Sequence, residues 1–308
     1  DAMSMARDHR GWVQSGLRLK KAGNAIVSTL GGREIHPVNV RVGGFYRAPS
    51  HSELAALLPE LRRAKQDAIE AARWMSSFEF PAVERDYELV ALQHPSEYAI
   101  LEGRIVSSAG LDIDAREYDA HFVEAQSPYS SALRSTIRGR GSYLCGPLAR
   151  FNLSFDRLLP EVQELAHALG LRVPCMNPFR SLLVRMLEIV HALADAIRII
   201  ETYEMPDAPA VVPQTIRAST GYGITEAPRG LLYHRYTIDA EGTIVDAQIV
   251  APTSQNQLAI EDDLRAIAGE LAALPHADAT ALAERAVRNH DPCISCATHF
   301  LTLEVQTT

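Results

Sequence analysis

The stretch Asp291-Pro292-Cys293-Ile294-Ser295-Cys296-Ala297-Thr298-His299, close to the end of the chain, holds two of its four cysteines, with a histidine three positions beyond the second. Cys-x-x-Cys lets two thiolates face one metal from a single turn of backbone. Thiolate is a soft donor that suits zinc, iron or nickel better than magnesium or calcium. Pro292 restricts the backbone just before the first sulfur. On spacing alone three readings stand side by side: a zinc clip completed by His290 and His299, a redox dithiol, and a plain surface turn.

Upstream of this stretch the apolar pattern predicts helices at about 257–273 and 277–289, the second delivering the chain to Cys293. Before them, Leu231 to Ile238 and Thr243 to Val250 read as strands around Asp239-Ala240-Glu241-Gly242, a hairpin with a four-residue loop. The two ends of that hairpin bring Arg229 and Thr253 close together. Residues 206–213 form a proline-rich, linker-like run. Asn177 to Glu204 reads as one long helix, with an apolar stripe through Leu182, Met186, Ile189, Leu193, Ile197 and Ile200. At about 28 residues it would span roughly 40 Å. Phe155 to Leu169 reads as a shorter helix.

The first half is mixed. Residues 2–31 read as helical, stopped by Gly31-Gly32. A loop and short extended run follow to Tyr46, with His36 expected extended because Pro37 follows it. A helix is expected from Ser52 to about Phe78. Tyr87 to Leu92, Arg104 to Ser108 and Tyr118 to Val123 read as short strands. Arg138 to Tyr143 is basic and glycine-rich but lacks a strand–helix setting, so it reads as a loop rather than a phosphate cradle. Cys145 and Cys175 are isolated, and Cys175 reads as a buried small hydrophobe.

Composition excludes several classes. A formal net charge of −8 does not supply the basic stripe of a nucleic-acid surface. Hydrophobic residues make up 47%, ordinary for a globular chain of 308 residues. Four cysteines are too few for a disulfide framework and point to a reducing compartment. No apolar run reaches membrane-spanning length.

Four ordered motifs give the C-terminal stretch a context. They are Gly31-Gly32-Arg33-Glu34-Ile35-His36-Pro37 leading to Gly43-Gly44-Phe45-Tyr46-Arg47, then Glu226-Ala227-Pro228-Arg229-Gly230, then Ala251-Pro252-Thr253, then Asp291 to His299. Together they resemble the large subunit of nickel–iron hydrogenases. Tyr143 to Arg150 and Val38 to Arg41 look most like the soluble, cofactor-linked group. The family's other motif, Arg-x-Cys-Gly-x-Cys, does not occur here, so the expectation is a single domain over 1–308 corresponding to the C-terminal two-thirds of such a subunit. The implied fold is mainly α with small β (α+β): a long-helix bundle core with peripheral hairpins. The region of His36 would lie near the active-site pocket.

The resemblance also implies a chemistry, the reversible heterolytic cleavage of hydrogen. Nickel would be held by four cysteines, two of which bridge to an iron carrying cyanide and carbon monoxide. Cys293 would be a terminal nickel ligand and Cys296 a bridging one. Arg229 would sit above the metals, held by Asp291, while Pro228 and Thr253 would face the iron's diatomic ligands. His299 would be the processing point, cut before Phe300 by a maturation protease once nickel-insertion proteins have acted. In some members that imidazole then binds magnesium. Implied partners are an iron–sulfur small subunit and diaphorase-type subunits carrying flavin and using NAD(P), in the cytoplasm. This chain alone would be inactive for lack of the other cysteine pair. The competing readings are a non-enzymatic relative, such as the quinone-site subunit of respiratory complex I, and a zinc-binding module.

Overall fold

The computed structural model describes residues 2–211 and 215–293. The chain divides into two compact units, the first built from Asp1–Phe78, Glu164–Gly170 and Arg185–Ile216, the second from Glu79–Gln163, Leu171–Val184 and Arg217–Thr308.

The first unit opens with α1 (Ala2–Asp8) and α2 (Arg10–Gly31). Gly32 ends α2 in the left-handed conformation, φ 82°, and its N–H bonds the carbonyl of Ser28. A two-stranded hairpin follows, β1 (Val40–Arg41) with β2 (Gly44–Phe45). The expected helix from Ser52 to Phe78 is instead two, α3 (His51–Ala55) and α4 (Leu58–Ser76). Ser50 and Glu53 form a capping box at the start of α3, one residue before the expected start at Ser52. Trp12 of α2 stacks on Trp74 of α4 at 4.9 Å, and Arg18 pairs with Asp67 at 3.0 Å, so the two helices run antiparallel.

His36 is not extended. It sits at φ 51°, because the carbonyl of Gly31 accepts from both Val38 and Asn39 and the chain must double back over the helix end. Arg33 Nε donates to the His36 carbonyl at 2.5 Å and secures the reversal. The proline-rich run beyond Glu204 is not a free linker where it is described: Ala210 bridges Gly44, and Phe45 N–H bonds the carbonyl of Pro209.

The second unit is built on small antiparallel sheets. β3 (Val90–Gln93), β4 (Arg104–Ser107) and β5 (Asp112–Ile113) form one. The third expected strand begins instead as a helical turn, α5 (Tyr118–His121), because Asp114 and Glu117 cap a 3₁₀ turn that runs into it. Only from Phe122 does the chain extend, as β6 (Phe122–Ser127), paired with β7 (Ser130–Ile137). Next come α6 (Pro147–Ser154), a 3₁₀ turn at Phe155–Arg157, and α7 (Pro160–Ala168) in place of one helix from Phe155. The long helix is shorter than expected. Asn177 caps a 3₁₀ turn with Pro178 at its start, and α8 runs from Ser181 to Glu201, 21 residues or about 30 Å; α7 from Glu164 and α8 from Arg185 belong to the first unit.

The expected hairpin is present as β9 (Gly230–Ile238) and β10 (Ile244–Val250), with β8 (Ser219–Ala227) on the other side of β9. The sheets share a buried core in which Tyr118 stacks between Phe122 at 4.5 Å and Tyr233 at 4.1 Å. Three helices follow: α9 (Pro252–Ala266), α10 (Ala268–Ala273) and α11 (His276–Arg288). α9 starts a turn and a half before the expected helix. Its first residues, Thr253, Ser254, Gln255 and Asn256, are buried but polar, so apolar periodicity does not reveal them. The mainly α class with small β is the observed one.

Candidate metal centre

The hairpin does what its ends require. Ala227 and Gly230 pair as the turn between β8 and β9, with Pro228 and Arg229 at its tip. Val250 pairs with Tyr233, and the chain turns into α9 two residues later. Asn256 Nδ2 then reaches back to the Arg229 carbonyl at 3.2 Å, while its Oδ1 accepts from Cys145 N–H at 2.8 Å. Arg229 and the start of α9 are therefore tied through one side chain.

The Pro228–Arg229 tip is held from below by a buried ion pair. Arg150 of α6 meets Glu226 at 2.7 Å, the two side chains 5% and 1% exposed. The same guanidinium donates to the carbonyls of Ala227 at 2.9 Å and Pro228 at 3.0 Å. Glu226 in turn accepts from Leu92 N–H at 2.8 Å, which ties the tip to β3. Two glycines let the backbones meet. A Cβ on Gly146 would lie 2.6 Å from the Arg229 carbonyl, and one on Gly230 2.4 Å from Cys145 Sγ.

From the other side comes the end of α11. Asp291 has φ 48°, and Pro292 follows it. Arg229 Nε bonds the Asp291 carbonyl and lies 3.2 Å from its carboxylate. Cys293 N–H donates to Thr253 Oγ1 at 3.2 Å. Thr253 is 3% exposed and Cys293 is half-buried. Pro228, Arg229, Thr253, Asp291 and Cys293 thus converge from three segments of the chain. Cys296 and His299 lie outside the described residues, as does the expected cut before Phe300.

Cys145 and Cys175 are both buried. Burial pushes the Cys145 thiol up to about 12, with a further contribution from the charge of Glu226. Its Sγ lies 3.2 Å from Asn256 Oδ1. Cys175 is buried, as expected, and Asn152 bonds both its N–H and its carbonyl. Neither is an exposed, ionised thiolate. His290 is buried with Nε2 2.8 Å from Asp263 Oδ2, so the zinc clip that would use it meets a ring nitrogen already engaged. Among the described residues no three His, Cys, Asp or Glu side chains form a cluster able to hold a metal.

Motif reading missed several side chains that build this site. Arg150 and Glu226 lie within quoted motifs and Asp263 within an expected helix, yet none carries a task there, and Asn256 falls between the motif and the helix. The available signal was charge or amide in an otherwise apolar setting, as with Arg150 after Leu148-Ala149. A second signal was spacing: Thr253, Asn256, Ile260 and Asp263 fall on one face of α9, and all are buried.

The profile of the nickel-dependent hydrogenase family matches residues 152–299. Sulfhydrogenase 1 subunit alpha of Pyrococcus furiosus is 28% identical over 305 residues, covering 98% of this chain and 71% of that relative. The chain is similar to the large subunits of nickel-dependent hydrogenases. The matched relatives are named as hydrogenases, which are oxidoreductases, and the readings as a quinone-site subunit or a zinc-binding module are not favoured. NAD-reducing hydrogenase HoxS subunit beta of Cupriavidus necator is 30% identical over 203 residues, 62% of this chain and 41% of that relative. An NAD+-reducing [NiFe]-hydrogenase in the H2-reduced state has the same fold, with a TM-score of 0.85 at 21% identity over 97% of this chain and 71% of that one. The Ni-Fe-Se hydrogenase of Desulfomicrobium baculatum follows at a TM-score of 0.68 and 18% identity, over 93% of this chain and 68% of that one.

The side chains present fit their share of a nickel–iron centre. Cys293 offers a soft thiolate beside a buried hydroxyl. Arg229 bonds Asp291 through Nε, while its two terminal amino groups have no partner among the described residues. A rigid fork of free donors suits anionic or diatomic groups on a metal. The chain's other two cysteines, Cys145 and Cys175, are buried, and burial raises both thiols.

Proposed function

We propose that this chain contributes the C-terminal half of the nickel–iron site of a hydrogenase large subunit, acting in reversible hydrogen cleavage. Cys293 and Cys296 would hold the nickel–iron centre, and His299 would be the maturation point and a candidate magnesium ligand. When bound, the nickel–iron centre supplies the redox change and the electrophile that heterolytic cleavage of hydrogen needs. The Cys293 thiolate stays basic while ligating and offers Sγ as an acceptor for the proton. Arg229 holds its guanidinium over the site with Asp291 as its anchor, and presents two free N–H faces to ligands of the metals. Pro228 and the Thr253 hydroxyl would face ligands of the metals. The NAD-reducing relatives support a soluble, cytoplasmic complex, with electrons leaving through an iron–sulfur small subunit towards NAD(P) and diaphorase-type subunits. The other pair of thiolates must come from outside residues 1–308, so the chain alone should be inactive.

The observation that carries this reading is the convergence of Arg229, Asp291, Thr253 and Cys293 at one point. Arg229→Lys in the assembled enzyme tests it. Lysine keeps the charge but not the fork. Nickel and iron content should stay at wild-type level while hydrogen oxidation with an artificial acceptor falls by at least about tenfold, roughly 1.4 kcal/mol of barrier. Near-normal turnover with full metal loading would refute the assigned role.

A further inference from the structure

We propose that Asp263 is a positioning residue for the cysteine turn, gripping its start through His290 while Thr253 grips its end at Cys293. The inference rests on the reading of Cys293 as a ligand for its importance, but the clamp itself is a matter of geometry.

Asp263 lies at the centre of a buried polar cluster. Its carboxylate accepts from Tyr87 Oη at 2.6 and 2.7 Å, from Arg85 Nε at 2.9 Å and from His290 Nε2 at 2.8 Å. Burial opposes its charge, but the donors from His290, Tyr87 and Arg85 together outweigh that and hold the carboxyl below its ordinary range. A carboxylate only accepts, so the His290 ring must carry its proton on Nε2, which fixes both its tautomer and its orientation.

Both grips belong to one rigid element. Thr253 and Asp263 lie on the same face of α9, ten residues or about 15 Å of helix rise apart. The distance between the held ends of the segment is therefore set by a helix and not by a loop. Between them the backbone is unfavourable, with Asp291 at φ 48° directly before a proline. Such a conformation persists only where its surroundings over-determine it. Ser181 Oγ adds a third restraint, donating to the Asn289 carbonyl at 2.6 Å. Loss of the Asp263–His290 grip should free the start of the turn while α9 and Thr253 stay in place.

Hydrogen exchange and nitrogen NMR on the full chain test this with Asp263→Asn, His290→Leu and His290→Gln. Glutamine keeps an N–H near the position of Nε2, so it should retain the wild-type protection of the Cys293 amide. His290→Leu and Asp263→Asn should raise Cys293 amide exchange by about tenfold or more, with α2 and α4 unchanged. The wild-type imidazole should be the Nε2–H tautomer. The proposal is overturned by a wild-type Nδ1–H tautomer, by unchanged Cys293 protection in the Leu and Asn variants, or by equal loss in the Gln variant. The tautomer measurement stands even if a variant fails to fold. Cobalt(II) alone, added to the wild-type chain, separates the two readings. A thiolate–cobalt band that persists unchanged in Cys293→Ser would sink the metal assignment of Cys293, while the exchange data judge the clamp.

Discussion

Glu226→Gln removes one charge from the buried pair beneath the Pro228–Arg229 tip and changes almost no volume. The pair is 2.7 Å apart, with side chains 5% and 1% exposed. At an effective dielectric of about 20 that separation corresponds to roughly 6 kcal/mol of attraction. Glutamine returns one neutral hydrogen bond, about 1 kcal/mol, and Arg150 keeps the carbonyls of Ala227 and Pro228. The expected loss is therefore about 3–5 kcal/mol, the range for breaking one partner of a buried pair. At about 2–3 °C per kcal/mol for a chain of this size, the midpoint should fall by roughly 6–15 °C. The assay can be made local. Both tryptophans, Trp12 and Trp74, belong to the first unit, whereas the stacked Tyr118 and Tyr233 belong to the second. Near-ultraviolet circular dichroism of the tyrosines should report the shift, and tryptophan fluorescence a smaller one. Arg150→Met combined with Glu226→Leu should cost less than the two single changes summed, because no lone charge remains buried. A tyrosine-reported loss below about 1 kcal/mol for Glu226→Gln would show that the pair is not a net support of the tip.

Three further outcomes follow from the same geometry. Thr253→Val removes the acceptor for Cys293 N–H and should cost about 0.5–1.5 kcal/mol in urea unfolding, while Thr253→Ser should stay near wild type; equal behaviour of the two would contradict the bond. Gly230→Ala places a Cβ 2.4 Å from Cys145 Sγ at φ 135° and should lower the melting temperature more than Gly269→Ala, which meets nothing within 4 Å; a scan showing the reverse order would refute the close approach. The Cys145 thiol, raised to about 12 by burial, should resist alkylation at pH 8 while Cys293 reacts. Its neutral form contributes fully below the unfolded thiol value of about 8.5 and that contribution is lost as pH rises towards 12. Mass mapping of labelled peptides decides this, and early label on Cys145 would count against its burial.

Much of the fold was legible in local pattern. The stripe of α8, the Gly32 stop and the β9–β10 hairpin all express a period or a turn residue within one element. The hairpin even placed Arg229 near Thr253, because strand pairing is a local rule. The short segments were misread where capping outweighed apolar pattern, as at Asp114 and Glu117 before Tyr118, or where tertiary bonds bent the backbone, as at His36 over Gly31. The amino-acid sequence by itself pointed to Arg229, Thr253, Asp291 and Cys293, which the structure brings into contact. Only the tertiary structure decided what holds them. Arg150 finds Glu226 across 76 residues, and Asp263 joins Tyr87 across 176 and His290 across 27. A buried polar residue has the same side chain as an exposed one, and no periodicity marks it until its partner arrives. The support of this site was therefore invisible in one dimension, because each buried charge is stabilised by groups that lie far away along the chain and within about 3 Å in space.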